Sequence, residues 1–210
     1  MNILKLFRRS GTSLKKIPNN PDRFEIVISG SGGQGAILAG RILAEAAALY
    51  DGKDAVMAQS YGPEARGGAS RAEIIISEQK IHYPKVMNVD ILLVMTQEAM
   101  DKYGALLGPD GLLIADETFV KEIPSSFKYV FKAPFRLQAM QLLGVPLVSN
   151  VVALGALAAI TKVISKEALI RTVLDLVSKK VLVLNRIAVD AGYKIARESG
   201  FHWEKRKAEK

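Results

Sequence analysis

Cysteine is absent from the 210-residue chain, and only two histidines, His82 and His202, occur in it. Without cysteine the chain cannot form a disulfide framework, a zinc–thiolate site, a protein-ligated iron–sulfur cluster or a cysteine nucleophile. The two histidines are far apart in sequence with no acidic cluster beside them, and no serine stands in a G-x-S-x-G motif. We therefore predict no metal site and no catalytic residue in this chain.

Long hydrophobic runs are missing as well. No apolar run approaches the roughly 20 residues that a membrane-spanning helix needs. Near the N-terminus, the apolar stretch at 3–7 is too short for the hydrophobic part of a signal peptide. These absences predict a cytoplasmic protein that makes no membrane contact.

The net charge of +8 is concentrated near the two ends of the chain. No basic stripe with interleaved aromatic residues accompanies these charges, so we interpret them as solvated ends and predict no nucleic-acid binding. The chain accordingly divides into a basic N-terminal extension (1–22), one domain (23–200) and a charged C-terminal tail (201–210).

Strand and helix patterns alternate through most of that domain. Strands are predicted at 24–29, 55–59, 72–77, 91–95, 112–116 and 128–131. Helices are predicted at 34–50, 97–107, 136–143, 150–164, 166–176 and 184–198. This order is typical of an α/β fold with a doubly wound, mostly parallel, Rossmann-like sheet followed by C-terminal helices. We expect the first two strands to be adjacent and parallel.

The first predicted strand ends in clustered glycines, Gly30-Ser31-Gly32-Gly33-Gln34-Gly35, and a helix pattern follows. In a G-x-G-x-x-G turn the backbone N–H groups can approach a phosphate, and the helix N-terminus adds its positive dipole end. No acidic residue ends the second strand, at 57–61, where a nicotinamide dinucleotide would need one. The glycines could also serve only to pack the helix against the strand.

A second unusual segment connects the second and third strands and contains Tyr61, Gly62, Pro63, Glu64, Arg66, Gly67 and Gly68. It could be a tight connection with solvated charges, but it has more special residues than a simple connection needs. We favour a recognition loop in which Arg66 presents its guanidinium fork to a phosphate, a carboxylate or a neighbouring chain. Further along, Asn150 precedes an apolar run and is predicted as a helix N-cap.

Together these segments resemble the gamma subunits of the 2-oxoacid:ferredoxin oxidoreductases, most closely the 2-oxoglutarate (KorC-like) branch. The resemblance runs from Phe24 to about Gly192. It rests on the segments 30–35, 59–70, 83–84 and 150–155. The basic N-terminal extension lies outside it and is assigned no role.

The resemblance implies a subunit, inactive alone, of an enzyme that oxidatively decarboxylates a 2-oxoacid with coenzyme A, yielding an acyl-CoA, CO₂ and reduced ferredoxin. Thiamine diphosphate, Mg²⁺ and iron–sulfur clusters are expected on the alpha, beta and ferredoxin-like partner subunits. For this chain it implies coenzyme A binding, for which we assign Gly30, Gly32, Gly33, Gln34, Gly35 and Arg66. Subunit recognition is assigned to Tyr61, Gly62, Pro63, Glu64, Gly67, Gly68 and Asn150.

Several alternatives stay open at this point. The 2-oxoacid could be pyruvate, a branched-chain 2-oxoacid or indolepyruvate instead of 2-oxoglutarate. From other classes, the chain could be a stand-alone dinucleotide-binding oxidoreductase, or a purely structural subunit whose glycine turn is filled by protein. Expressed alone, it could form homo-oligomers that cover its partner surface.

Overall fold

A six-stranded sheet with helices on both faces forms the domain. The computed structural model describes residues 22–60 and 68–205, apart from the side chain of Lys179. The strands are β1 (Arg23–Ser31), β2 (Asp54–Ser60), β3 (Ala69–Ser77), β4 (Val89–Val94), β5 (Leu107–Asp116) and β6 (Tyr129–Ala133). The helices are α1 (Ala36–Glu45), α2 (Gln97–Tyr103), α3 (Phe135–Leu143), α4 (Ser149–Thr161), α5 (Lys166–Leu176) and α6 (Leu182–Glu198).

The strands lie in the order β2-β3-β1-β4-β5-β6. Strand β1 is parallel to β4, and β4, β5 and β6 are parallel to one another, whereas β3 is antiparallel to both β1 and β2. Five strands therefore run in the same direction, which confirms the predicted α/β fold with a mostly parallel sheet.

The expectation that the first two strands are adjacent is wrong. Strand β3 lies between them, and its Ile74 pairs with Met57 of β2 on one side and with Ile26 of β1 on the other. A parallel neighbour needs a crossover connection of a dozen or more residues. The connection at 61–68 is shorter than that, so β3 returns antiparallel beside β2.

Most predicted elements occur where the sequence places them, with differences at their ends. The first predicted helix is divided into α1 and a π-helical turn, Ala46–Tyr50. Between the third and fourth predicted helices the chain forms a 3-10 turn, Pro146–Val148. The glycine-proline segment at 108–111, expected to lie between a helix and a strand, belongs to the start of β5.

The sheet separates two hydrophobic cores of unequal size. On one face, Ile26 and Ile28 of β1 pack with helices α1, α3, α4, α5 and α6. On the other, Val27 packs with α2 and the segment around Val120. Alternation along β1 sends successive side chains to opposite faces, so one strand contributes to both cores. Within the described part of the chain, no helix combines the length and apolar character that crossing a membrane requires.

Helices α4 and α6 cross at two glycines, with backbone packed against backbone. A Cβ added to Gly155 would lie 2.5 Å from the carbonyl oxygen of Val189. One added to Gly192 would overlap the carbonyl oxygen of Val152 and lie 2.7 Å from the nitrogen of Ala156. Nearly every residue of α4 is buried, as expected of a helix that is apolar all round. This close crossing fixes α4 within the larger core.

The first residues of the predicted charged tail pack against the domain. Trp203 is buried, and its Nε1 donates to the carbonyl oxygen of Asp110 at 3.2 Å. The Nζ of Lys205 donates to the Asp90 carboxylate at 2.8 Å and also to the carbonyl oxygen of Arg23. Burial raises the pKa of Asp90 despite the nearby lysine. This segment therefore braces the amino ends of the strands.

Candidate functional site

The candidate site lies where the connections after two adjacent parallel strands diverge. Strand β1 leads to α1 on the side of the larger core, and β4 leads to α2 on the side of the smaller core. In open α/β sheets ligands bind outside the carboxyl ends of the strands at such a topological switch point. The glycine-rich turn, residues 30–35, follows β1 at this place.

The backbone of the turn takes conformations that favour glycine. Gly33 and Gly35 have φ values of 86° and 76°, in the left-handed region that side chains with a Cβ rarely adopt. The N–H of Gln34 donates to the carbonyl oxygen of Ser31 at 3.2 Å and closes the turn. Helix α1 begins directly afterwards, with no acidic side chain in its first turn.

The glycines of the motif have two different roles. A Cβ on Gly30 would lie 2.6 Å from Oε1 of Gln34, and a Cβ on Gly35 would overlap Nδ2 of Asn150. At Gly32 and Gly33, by contrast, no heavy atom of the described residues lies within 4 Å of an added Cβ. Packing thus accounts for the outer glycines, and the inner two leave the backbone open to an approaching ligand.

The side chain of Gln34 bridges the switch point. Its Oε1 accepts from the N–H of Ser31 at 2.9 Å, and its Nε2 donates to the carbonyl oxygen of Met95, just after β4, at 3.4 Å. Both the N–H and the side chain of Gln34 are therefore engaged within the protein. The open backbone of the turn is at Gly32 and Gly33.

Most of the predicted recognition loop, Tyr61 to Gly67 with Arg66, lies outside the described residues. Gly68, with a φ of 100°, leads directly into β3. The pairing of Ser31 with Ala69 places the start of β3 beside the glycine-rich turn. The loop therefore joins the sheet at the same edge as the turn, as a hairpin connection between β2 and β3.

Two hydrogen bonds that the sequence did not suggest fix the start of β3. The N–H of Ala69 donates to the carboxylate of Glu98 in α2 at 3.0 Å. The hydroxyl of Ser70 donates to the carbonyl oxygen of Gly30 at 3.1 Å. Glu98 stands two residues after a helix N-cap, so the sequence suggests only an ordinary acidic residue of the first helical turn. Its partner, Ala69, lies 29 positions away and gave no local signal.

Arg71 is a further cation near this edge that sequence reasoning missed. It forms an ion pair with Glu73 at 2.5 Å and lies over the ring of Tyr103 at 5.0 Å. Because its charge is already balanced by a carboxylate, Arg71 is less suited to an anionic ligand than an arginine without such a partner.

Asn150 is not the N-cap of the fourth helix but its second residue. Its Nδ2 donates to the carbonyl oxygen of Gly35 at 3.2 Å, and its Oδ1 accepts from the N–H of Val151 at 2.9 Å. The structure thus brings Asn150 to the glycine-rich turn, although 115 positions separate them in sequence. Among the described residues, no three acidic or histidine side chains are grouped so that they could hold a metal ion.

Comparison with known proteins identifies the family. The family model described as pyruvate ferredoxin/flavodoxin oxidoreductase matches residues 25–195. The 2-oxoglutarate synthase subunit KorC of Methanocaldococcus jannaschii is 46% identical over 178 residues, which cover 84% of this chain and 95% of that protein.

Two solved structures share the fold. The gamma subunit of a keto/oxoacid ferredoxin oxidoreductase from Geobacter sulfurreducens is 46% identical, with a TM-score of 0.77 over 84% of this chain and 97% of that one. The 2-oxoglutarate:ferredoxin oxidoreductase of Magnetococcus marinus, solved with 2-oxoglutarate, coenzyme A and succinyl-CoA, is 22% identical. Its TM-score is 0.75 over 90% of this chain and 34% of that one, so there the fold is part of a longer chain.

These matches confirm the resemblance found in the sequence. The family model spans most of the chain, and the relatives that are 46% identical are aligned over nearly their whole length. The chain therefore belongs to the pyruvate ferredoxin/flavodoxin oxidoreductase family and is a subunit of an oxidoreductase.

Proposed function

We propose that this chain is the gamma subunit of a cytoplasmic 2-oxoglutarate:ferredoxin oxidoreductase and that its glycine-rich turn binds the phosphates of coenzyme A. The enzyme would decarboxylate 2-oxoglutarate, transfer the succinyl group to coenzyme A and pass the electrons to ferredoxin. The name of the Methanocaldococcus relative favours 2-oxoglutarate over pyruvate and other 2-oxoacids.

The open backbone at Gly32 and Gly33 is the observation that carries the coenzyme A assignment. It lies at the switch point of the sheet and next to the N-terminus of α1, where oriented N–H groups favour an anion. Coenzyme A carries a pyrophosphate and a further phosphate, and such groups fit a turn of this kind. The Magnetococcus enzyme, which has the same fold in part of its chain, was solved with coenzyme A.

The redox and carbon chemistry would be supplied by partner subunits. The chain has no cysteine, so iron–sulfur clusters must be ligated elsewhere. Thiamine diphosphate with Mg²⁺, held by alpha and beta subunits, would supply the decarboxylation chemistry. A ferredoxin-like subunit would carry electrons towards the external acceptor.

An exposed apolar surface supports the assignment of subunit contacts. Helix α3, the turn at Pro146–Val148 and the start of α6 contact one another. These elements carry exposed apolar side chains, which we call together the α3–α6 surface: Leu137, Met140, Leu142, Leu147, Val183 and Ile187. Soluble monomers rarely expose large apolar patches, so this surface suits a partner subunit. The turn leads directly into α4, whose second residue is Asn150.

Replacement of Arg66 tests the ligand assignment in the assembled enzyme. We expect Arg66→Ala to raise the KM for coenzyme A by about ten- to a hundredfold, because a charge-assisted hydrogen bond contributes about 1.5–3 kcal/mol. Release of CO₂ from 2-oxoglutarate by the thiamine-bearing subunits should continue. Viologen reduction measured across a coenzyme A titration gives the KM.

The matched control is Arg41→Ala, which removes an exposed arginine paired with Glu45 on α1. It should leave the KM for coenzyme A unchanged. Dissociation of the complex by Arg66→Ala would instead make the loop an assembly element. A nicotinamide or flavin absorbance in the purified chain would favour the stand-alone oxidoreductase.

Replacement of Leu147 tests the α3–α6 surface. Leu147 is 71% exposed, and Leu49, near the end of the π-helical turn, is 67% exposed. We expect Leu147→Glu to separate the chain from its partner subunits in size-exclusion chromatography, whereas Leu49→Glu should leave the complex intact. An intact Leu147→Glu complex would show that subunit contact is made elsewhere, and a change confined to self-association of the free chain would assign the surface to homo-oligomers.

A further inference from the structure

The side chain of Asn150 connects two sequence motifs that lie far apart in the chain. The glycine-rich turn precedes α1, and the motif beginning at Asn150 opens α4. We propose that Asn150 is a positioning residue that holds the glycine-rich turn in the conformation that binds phosphate. This inference rests on the proposed function and names a further residue of the same site.

The Asn150 amide uses both of its ends. Its Nδ2 donates to the carbonyl oxygen of Gly35 at 3.2 Å, and its Oδ1 accepts from the N–H of Val151 at 2.9 Å. The residue is 3% exposed, so water can replace neither bond easily. A carboxylate of the same shape could keep the second bond but could not donate the first.

The backbone conformation of Gly35 and its lack of a Cβ allow the Asn150 amide to come close. Its φ of 76° and the overlap that a Cβ would make with Asn150 Nδ2 both require glycine at this position. The carbonyl of Gly35 also accepts from the N–H of Ala39 at 2.8 Å, in the first hydrogen bond of α1. Asn150 therefore holds the peptide that orients both the turn and the start of α1.

The helix that presents Asn150 is itself immobilised. Gly155 of α4 packs against the backbone of α6 at Val189, and Gly192 of α6 packs against the backbone of α4. Because backbone contacts leave no flexible side chain between the helices, the position of Asn150 is fixed from the larger core. The core thereby sets the geometry of the turn at Gly32 and Gly33.

The test uses the assembled enzyme with two variants, Asn150→Asp and Asn150→Leu. Both remove the donor to Gly35, and only the first adds a negative charge. We expect each to raise the KM for coenzyme A about tenfold with little change in kcat, and each to speed hydrogen exchange in the peptide covering 31–36. Asn185→Asp is the matched control, because Asn185 is equally buried and its Nδ2 donates to Val181 within the first turns of α6.

The two readouts separate the inference from the proposed function. Unchanged exchange at 31–36 in both variants would overturn the positioning role of Asn150. Faster exchange with an unchanged KM would support that role and overturn the assignment of coenzyme A to the turn. A raised KM in Asn150→Asp alone would overturn the positioning role as well, since charge repulsion would then explain the effect.

Discussion

Two pairs of glycines in this chain have opposite surroundings. Among the described residues, no heavy atom stands near the place of a Cβ at Gly32 or Gly33, whereas Gly155 and Gly192 have backbone atoms there. The first pair lies at the carboxyl edge of the sheet and the second in the crossing of two helices. Glycine in the second place allows another helix to approach, and in the first place we propose that it allows a ligand to approach.

The glycines within the G-x-G-x-x-G motif also differ in their surroundings. At its first and last glycines, Gly30 and Gly35, the side chains of Gln34 and Asn150 occupy the space where a Cβ would stand. Gly32 and its neighbour Gly33 face open space among the described residues. Packing therefore explains the glycines at the two ends of the motif and does not explain Gly32, for which ligand approach is the proposed reason.

The largest effect is expected at the helix crossing. A Cβ at Gly192 would overlap the carbonyl oxygen of Val152 and come within 2.7 Å of Ala156 N, and neither atom belongs to a side chain that can rotate away. We expect Gly192→Ala to lower the free energy of unfolding by about 3 kcal/mol, as overpacked sites do. Urea denaturation of the purified chain measures this loss. A loss below that of Gly32→Ala would show that the crossing adjusts freely and would break the comparison.

A smaller effect on stability, with a larger effect on ligand binding, is expected at the turn. Gly32 has an ordinary φ and open space around its missing Cβ, so Gly32→Ala should change the free energy of unfolding by less than about 0.5 kcal/mol. The added methyl group would stand where a phosphate approaches the backbone. We expect the KM for coenzyme A to rise about tenfold, the equivalent of about 1.4 kcal/mol.

Both predictions for Gly32→Ala can be measured on the same variant. Urea denaturation of the chain gives the free energy of unfolding, and kinetics of the complex give the KM for coenzyme A. A destabilised Gly32→Ala chain would mean that the turn is packed against residues beyond those described. An unchanged KM in a stable variant would contradict the ligand-binding role that we propose for Gly32 and Gly33.

Local pattern was enough to find most of the elements, because apolar periodicity and the glycine and proline breaks are local signals. The order of the strands was harder. The short connection at 61–68 explains why β3 returns antiparallel beside β2, but a hairpin of this length can place β3 on either side of β2. The position of β3 between β2 and β1 depends on its pairing with β1, which lies more than 35 positions away in sequence.

Other features could not be predicted, since they depend on contacts between distant segments. Asn150 donates to Gly35, and Ala69 donates to Glu98. In each hydrogen bond the two residues are far apart in sequence, and no local pattern links them. Trp203 stands among charged residues that read as a solvated end, yet it is buried and bonded to Asp110. The position of Arg66 stays a prediction.

A structure of the assembled enzyme with coenzyme A, determined by cryo-electron microscopy, tests the central claim most directly. We predict that a phosphate of coenzyme A lies within hydrogen-bond distance of the backbone at Gly32 or Gly33, with Asn150 still bonded to Gly35. Coenzyme A bound away from the turn, with a partner subunit's side chain in contact with Gly32 and Gly33, would contradict it and make this chain a structural subunit.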